Sequence, residues 1–330
     1  LRGWAERHGL PVAVTFRRQD YMDNRSPAYA GDLNVGPNPK LITRLRAADL
    51  ILAFGTRLGD IATQGYEALD PVRDAPALIH VHPDPGQINS VWAAEIAIAA
   101  RAPDVIAALA ARDDDLPGWH GRQGEARTEY EAWIRPKETP GAVKLEQVIA
   151  HLDAVLPDDA ILTNGAGNYA AFLHRYYRWR RYGTQLAPTS GSMGYGFPAA
   201  IAASLEHPDR TVICLAGDGC FQMTCNELST AAQHGARPIV IVANNGRYGT
   251  IRMHQEKHYP GRVSGTDLAS PDFAALARAY GGAGWCVEAQ DGFAPALEAA
   301  MASPTFSIIE LKLDPDMLST GASLSDMARR

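Results

Sequence analysis

Residues 210–245 constrain the fold of this chain more than any other stretch of its sequence. An apolar, β-branched run over 211–216 predicts a buried strand, residues 221–234 have helical spacing, and an apolar run over 238–243 predicts a second buried strand. A strand, a helix and a strand in this order predict parallel strands that end at the same edge of a sheet. Open α/β sheets bind their ligands at this edge.

Polar residues follow both predicted strands at this edge. Asp218 lies in a Gly-Asp-Gly turn after the first strand, and Asn245, 27 positions later, follows the second. Because the strand ends meet, we expect these two side chains to face each other across a small gap. A carboxylate and an amide oxygen beside a glycine-rich turn are typical of a site for a hard cation, such as Mg²⁺, that carries a phosphate group.

Three glycine-containing loops each follow a predicted strand, at 164–168, 190–194 and 217–220. We expect them to converge on one edge of one sheet. The first and third loops precede helices, whose free N–H groups favour a diphosphate. A Gly-x-Gly-x-x-Ala spacing that begins at Gly194 matches a dinucleotide fingerprint. Because a six-residue loop separates it from the preceding strand, a nicotinamide oxidoreductase is disfavoured.

The chain alternates predicted strands and helices on either side of a charged segment that has prolines at both ends. In the first third, these elements are the strands 11–16, 49–55, 77–82 and 95–100 and the helices 39–48 and 103–111. This alternation predicts an α/β protein with two doubly wound parallel-sheet domains. We expect one domain at 1–111, a linker at 112–141 with a helix near 125–134, and a second domain at 142–330.

Composition disfavours several classes of function. The net charge of −6 and the lack of Lys/Arg runs argue against a nucleic-acid partner. No apolar run predicts a membrane span or a signal peptide. Four cysteines without a Cys-x-x-Cys pair predict reduced thiols in a cytoplasmic protein. The chain begins without Met inside an amphipathic helical pattern, so we expect it to be a piece of a longer protein.

The Gly-Asp-Gly turn around Asp218, the Asn-Asn pair that ends at Asn245 and the Ser-Gly-Ser-Met-Gly sequence at 190–194 together resemble the signature of thiamine-diphosphate enzymes. Within that family, the chain is most similar to the acetolactate synthase-like branch, over nearly all of its length. The resemblance implies that 1–111 is the family's central domain. It also implies that 142–330 is the diphosphate-binding domain, and that both have Rossmann-like folds.

The resemblance also implies a role for each loop. The side chains of Asp218 and Asn245, with the carbonyl of Arg247, would bind Mg²⁺, and the Met193 side chain would wedge beneath thiamine diphosphate. The residues implied in cofactor binding are Asn164, Gly165, Ala166, Gly167, Asn168, Gly191, Ser192, Met193, Gly217, Gly219, Cys220, Tyr248 and Gly249.

The activity that the resemblance implies is decarboxylation of a 2-oxo acid with carboligation, in which the thiazolium ring is the electron sink. A simple decarboxylase or lyase of the same superfamily and a non-catalytic cofactor-binding homologue stay open as alternatives. The family also needs a carboxylic acid from the N-terminal pyrimidine domain of a neighbouring subunit. Because this domain would precede Leu1, we assign no catalytic residue within the chain. Because the acid would come from a neighbouring subunit, we expect a homodimer or homotetramer.

Two positions depart from the synthases of this branch. His254 stands where they carry a tryptophan, and Ile61 stands where they carry an arginine. Since both positions help to place the second oxo acid, the acceptor and the product stay open. His254 and His258 are candidate proton-transfer groups within a segment, 252–267, that is predicted to be irregular.

Some members of this branch bind FAD in the central domain. Flavin contacts would fall at 31–33, 55–57 and 82–84. The Gly-Asp pair expected after the last strand of this domain is Ala100-Arg101 in this chain, which counts against FAD.

Overall fold

The computed structural model describes residues 1–69, 76–112, 118–317 and 319–328. The chain divides into two compact units, Leu1–Ile134 and Arg135–Arg330. This boundary lies inside the predicted linker, of which residues 113–117 are outside the described ranges. The domain limits inferred from the sequence therefore stay a prediction. Within the described ranges, no helix has the length and apolar character needed to cross a bilayer.

The first unit contains five strands and four α-helices in its described part. In chain order they are α1 (Arg2–His8), β1 (Val12–Thr15), β2 (Tyr29–Leu33), α2 (Pro39–Arg46), β3 (Leu50–Phe54), β4 (Ala77–His82), β5 (Ile96–Ala99), α3 (Ala102–Ala110) and α4 (His120–Trp133). Hydrogen bonding gives two parallel sheets, β1-β2 and β3-β4-β5. Strand β2 has no counterpart among the predicted strands, because Gly31 and Asp32 interrupt its apolar pattern.

A local signal explains where helix α2 begins. The Asn38 side chain accepts a hydrogen bond from the Lys40 N–H at the start of α2, where Pro39 is the first helical residue. Helix α4 packs on β2, and the Tyr130 ring meets the Tyr29 ring at 4.9 Å between centroids. The helix predicted near 125–134 is therefore part of the first unit.

The second unit is built on one six-stranded parallel sheet with the order β10-β11-β9-β8-β6-β7. Its elements are α5 (Leu145–Val155), β6 (Ile161–Asn164), α6 (Asn168–Tyr176), β7 (Gln185–Leu186), α7 (Gly196–Glu206), β8 (Val212–Gly217), α8 (Asp218–Gln222), α9 (Leu228–His234), β9 (Ile239–Asn244), α10 (Gly249–His258), α11 (Phe273–Ala279), β10 (Ala283–Val287), α12 (Phe293–Met301), β11 (Ser307–Lys312) and α13 (Leu324–Ala328).

Apolar side chains cover both faces of this sheet. Every residue of β8 and β9 is buried, as expected for central parallel strands. One core contains Phe172 and Phe293, from α6 and α12, and the other contains Phe197 and Phe273, from α7 and α11. The two cores hold the strand ends of the sheet in fixed positions, and these ends position the site.

Two elements differ from those predicted. The helix predicted at 221–234 is divided into α8 and α9, because the backbone leaves the helix at Thr224, whose hydroxyl donates to the Gly194 carbonyl at 3.0 Å. Part of the segment predicted to be irregular forms α10. An ion pair between Arg252 and Glu256, 3.3 Å apart at i,i+4 spacing, supports this helix.

Candidate functional site

The cavity of interest lies where the strand order of the second unit reverses. After β6 the chain adds β7 on one side, then returns to place β8 on the other side of β6. Ligands of open α/β sheets bind at such switch points, beyond the carboxyl ends of the strands. The predicted site residues that line this cavity are Ala166, Gly167, Asn168, Met193, Gly217, Asp218, Gly219, Cys220, Asn245, Arg247, Tyr248 and Gly249.

Four other predicted residues lie beside the cavity and do not form its wall. Asn164 is buried at the end of β6, and Gly165 lies against the Cys220 sulfur. Gly191 and Ser192 are exposed in the loop that leads to Met193. Gly191 has a φ of 74°, in the left-handed region that favours glycine.

His254 and His258 lie outside this cavity. Both side chains are exposed on α10, where their rings stack at 6.2 Å between centroids. They line a separate surface depression with Tyr259, while Ile251 borders both the depression and the cavity. The two histidines therefore lie near the cavity without forming part of its wall.

Asp218 is the buried acidic group of the cavity, with 3% of its surface exposed. Its Oδ1 accepts from the Gly219 N–H at 2.8 Å, and its Oδ2 accepts from the Gly246 N–H at 2.9 Å and the Ser270 hydroxyl at 3.4 Å. Burial raises the pKa of this carboxyl, and the hydrogen bonds oppose the rise. A bound cation would favour the charged carboxylate further.

Asn245 and Arg247 lie in a turn that faces Asp218. Gly246, with a φ of 67°, allows the turn, and the Asn245 Oδ1 accepts from the Arg247 N–H at 3.3 Å. Asn244 supports the turn from behind, since its Oδ1 accepts from the Gly246 N–H at 3.1 Å and its Nδ2 donates to Glu310 Oε1 at 2.6 Å. In the Asn-Asn pair, Asn245 therefore lines the cavity and Asn244 fixes the turn.

The donor set suits a hard cation. In the described part of the chain, His, Cys, Asp and Glu do not gather in groups of three or more that would hold a metal ion. Asp218 instead offers one carboxylate, together with the amide oxygen of Asn245 and nearby backbone carbonyls. Mg²⁺ commonly takes one or two such protein oxygens and completes its coordination with phosphate and water.

Bare backbone forms the wall next to this acidic group. A Cβ atom added to Gly217 would lie 2.8 Å from the Tyr169 ring, and one added to Gly219 would lie 2.7 Å from the Tyr248 ring. A Cβ at Gly167 would lie 2.7 Å from Tyr169. Helices α6 and α8 begin at this wall. The Asn168 N–H donates to Thr250 and the Gly219 N–H donates to Asp218, whereas the other N–H groups of these first turns, such as that of Cys220, have no acceptor within the helix and suit an anion. The residues present therefore fit an Mg²⁺-bound diphosphate.

Sequence reasoning missed six residues of the cavity wall, and two of them, Tyr169 and Thr250, make hydrogen bonds between loops there. The Tyr169 hydroxyl donates to the Cys220 sulfur at 3.0 Å. The Thr250 hydroxyl accepts from the Asn168 N–H at 3.1 Å and donates to its side-chain oxygen at 3.0 Å. Both residues join loops that are far apart in the sequence. The sequence signal available for them was their position directly beside Asn168 and Gly249.

The first unit contains a half-buried acidic group whose pKa is also raised. Asp32 lies in β2, where burial raises its pKa to about 7, while hydrogen bonds from Asn34 and Gln19 oppose the rise. Gly31 and Asp32 belong to one of the segments predicted to contact a flavin. The flavin site stays a prediction.

The fold and the cavity define an α/β protein with a cavity at the switch point of its parallel sheet. Residues 1–109 match the family described as thiamine pyrophosphate enzyme, central domain, and residues 165–311 match its C-terminal TPP binding domain. The chain belongs to the thiamine pyrophosphate enzyme family. This confirms both the family inferred from the sequence motifs and the α/β fold class.

Relatives with curated descriptions include acetolactate synthases. The enzyme of Mycobacterium leprae is 31% identical over 316 residues, which cover 92% of this chain and 50% of the relative. The large subunit of Parasynechococcus marenigrum is 30% identical, over 94% of this chain and 51% of the relative. The chain thus spans about half the length of the curated relatives that it matches.

A solved structure has the same fold over most of this chain. It is the thiamine diphosphate-dependent 4-hydroxybenzoylformate decarboxylase of Rhodococcus jostii RHA1, with a TM-score of 0.76 and 27% identity. The match covers 95% of this chain and 58% of that protein. The chain is therefore similar both to synthases and to a decarboxylase of the family.

Proposed function

We propose that this protein uses thiamine diphosphate and Mg²⁺ to decarboxylate a 2-oxo acid and to join the resulting unit to an acceptor. The observation that carries the proposal is the placement of Asp218 and Asn245 on a glycine-walled cavity at the sheet's switch point. When bound, thiamine diphosphate supplies the electron sink that this decarboxylation needs. The acetolactate synthase relatives favour carboligation as the second half of the reaction.

The residues of the cavity divide the work of holding this cofactor. Asp218 and Asn245, with the Arg247 carbonyl, would hold Mg²⁺. Backbone N–H groups beside the starts of α6 and α8, that of Cys220 among them, would hold the diphosphate. Met193, 36% exposed at the cavity wall, would support the rings of the cofactor, and the Gly191 carbonyl and the Met193 N–H would orient the aminopyrimidine.

The proposal includes a partner. The carboxylic acid that activates the aminopyrimidine comes from a pyrimidine domain of a neighbouring subunit, so the working unit is a homodimer or a larger homo-oligomer. A cytoplasmic location accords with the four cysteines, all of which are free thiols. The substrate is a small 2-oxo acid.

A second candidate is simple decarboxylation without carboligation. Two observations favour it, namely the likeness to the Rhodococcus decarboxylase and the exposed His254 at a position where the synthases that this chain resembles carry a tryptophan. An imidazole can both accept and donate a proton. In this version the aldehyde leaves before an acceptor reacts.

The test is CO₂ release and product analysis with the intact gene product, Mg²⁺, thiamine diphosphate and a panel of 2-oxo acids. Carboligation predicts 2-hydroxy-ketone or 2-hydroxy-2-alkyl-3-oxo acid products, whereas simple decarboxylation predicts free aldehydes. If the cofactor binds and no 2-oxo acid is turned over, the protein is a non-catalytic homologue and the proposed activity is wrong.

A further inference from the structure

The side chain of Cys220 has no part in the cofactor contacts proposed above, which use only its backbone N–H. Its sulfur is buried and accepts two hydrogen bonds, from the Tyr169 hydroxyl at 3.0 Å and from the Gly194 N–H at 3.1 Å. A Cβ atom added to Gly165 would clash with the same sulfur. The sulfur therefore lies where all three glycine-containing loops meet.

Tyr169 fixes the first and third loops around this sulfur. Its ring fills the space beside Gly167 and Gly217, whose added Cβ atoms would each lie within 2.8 Å of the ring. Burial and the neighbouring thiol raise the pKa of the Tyr169 hydroxyl well above its usual value. The phenol thus stays protonated and donates, and the sulfur is the acceptor.

The Gly194 contact fixes the second loop, which carries Met193. Gly194 has a φ of 80°, and both its N–H and its carbonyl make hydrogen bonds. Its N–H donates to the Cys220 sulfur, and its carbonyl accepts from the Thr224 hydroxyl at 3.0 Å. Since Met193 directly precedes Gly194, these two contacts fix the position of Met193 relative to the loops at 164–168 and 217–220.

We infer that the Cys220 sulfur is a positioning group that holds Met193 at a fixed distance from the diphosphate end of the cavity. The inference rests on the proposed function for the identity of the ligand. The thiol does not touch the reacting atoms. It joins the two ends of one elongated cofactor site, so its loss should weaken binding of the whole cofactor more than binding of a diphosphate alone.

The first test follows the exchange of the Gly194 amide hydrogen in the cofactor-free protein. Cys220→Ala removes the acceptor, and we expect exchange in the peptide that spans 190–196 to become about tenfold faster, as expected for one or two lost hydrogen bonds. Cys220→Ser keeps an acceptor and should recover part of the protection. Cys225→Ala is the control, because the thiol of Cys225 is half-buried in the same region and contacts the Gln222 carbonyl. In this variant the peptide that spans 190–196 should exchange like that of the wild type. Unchanged exchange in Cys220→Ala would overturn the inference.

The second test compares two ligands by calorimetry with saturating Mg²⁺. For Cys220→Ala and Tyr169→Phe we expect thiamine diphosphate to bind about tenfold more weakly, while inorganic pyrophosphate binds within about twofold of the wild type. Equal weakening of both ligands would indicate general loss of structure and overturn the inference. If the wild type binds neither ligand, the proposed function fails, and the exchange experiment still decides whether the sulfur holds the loop.

Discussion

Each unit holds an aspartate at a parallel sheet, and the surroundings of the two carboxylates differ. Asp218 is buried, whereas Asp32 is half-buried. Asp218 lies on a cavity wall, directly after β8, and accepts from the backbone N–H groups of two loops. Asp32 lies within β2 and accepts from the side chain of Gln19 at 3.3 Å. Burial raises the pKa of both carboxyls.

The difference teaches that a carboxyl with a raised pKa by itself does not identify a binding site. Around Asp218, glycine-containing turns and the first residues of α6 and α8 border a cavity that can take a ligand. Around Asp32, hydrogen bonds from polar side chains take that place. We therefore expect Asp218 to control ligand binding and Asp32 to control stability. Other residues of the cavity should affect ligand binding less than Asp218 does.

The largest expected effect is on cofactor binding by Asp218→Ala. Removing the charged partner of a buried cation costs roughly 2–5 kcal/mol, so thiamine diphosphate in the presence of Mg²⁺ should bind on the order of a thousandfold more weakly. Isothermal titration calorimetry measures this loss. Asp209→Ala, at an exposed position in the same unit, is the matched control and should bind like the wild type. Equal affinity for both variants would disprove the metal assignment.

Asp32→Asn should change stability and its pH dependence. The carboxyl has a usual pKa of 3.8 and a folded-state pKa of about 7, so the folded state holds the proton more tightly. The contribution of this carboxyl to the free energy of unfolding is therefore present in full below its usual pKa and is lost as the pH rises through about 7. At pH 8 the variant should gain on the order of 2–4 kcal/mol in free energy of unfolding.

Denaturant titrations between pH 4 and 8 check this prediction. The unfolding free energy of the wild type should fall across this range, whereas that of Asp32→Asn should fall less. Binding of Mg²⁺ and thiamine diphosphate by the variant should match the wild type. A large loss of cofactor affinity at this position would break the division between the two aspartates.

Gly219→Ala tests the backbone wall with a smaller expected effect. The added Cβ would lie 2.7 Å from the Tyr248 ring and 2.9 Å from Leu268, so both must shift. We expect about tenfold weaker binding of thiamine diphosphate and a loss of about 1–3 kcal/mol in stability. Gly292→Ala, where the new Cβ would meet Val287 at an ordinary 3.6 Å, is the control. Calorimetry and thermal unfolding together would show whether the wall needs bare backbone.

His254→Ala should have the smallest effect on the cofactor. Because this imidazole is exposed on α10, outside the cavity wall, the affinity for thiamine diphosphate should stay within about twofold of the wild type. The ratio of aldehyde to carboligation product should change, since the depression that contains His254 shares Ile251 with the cavity. Product analysis checks this, with His234→Ala, exposed on α9, as the control. An unchanged ratio would remove His254 from the account of specificity.

Residues whose roles depend on local pattern were predictable from the sequence. The apolar runs of β8 and β9, which end at Gly217 and Asn244, indicated the edge of the sheet where Asp218 and Asn245 lie. Strand β2 was missed because Gly31 and Asp32 break the apolar alternation on which strand prediction depends. Contacts between distant segments were also missed. The bond from Thr224 to Gly194 divides a predicted helix, and no local pattern marks the bond from Tyr169 to Cys220.

The central claim is that this cavity holds thiamine diphosphate through Mg²⁺. A calorimetric titration of thiamine diphosphate into the wild-type protein, once with Mg²⁺ and once with a chelator, tests it most directly. The account predicts one site per chain whose affinity depends on the cation, with inorganic pyrophosphate as a competitor. Binding that is unaffected by the chelator, or no binding with Mg²⁺ present, would contradict it.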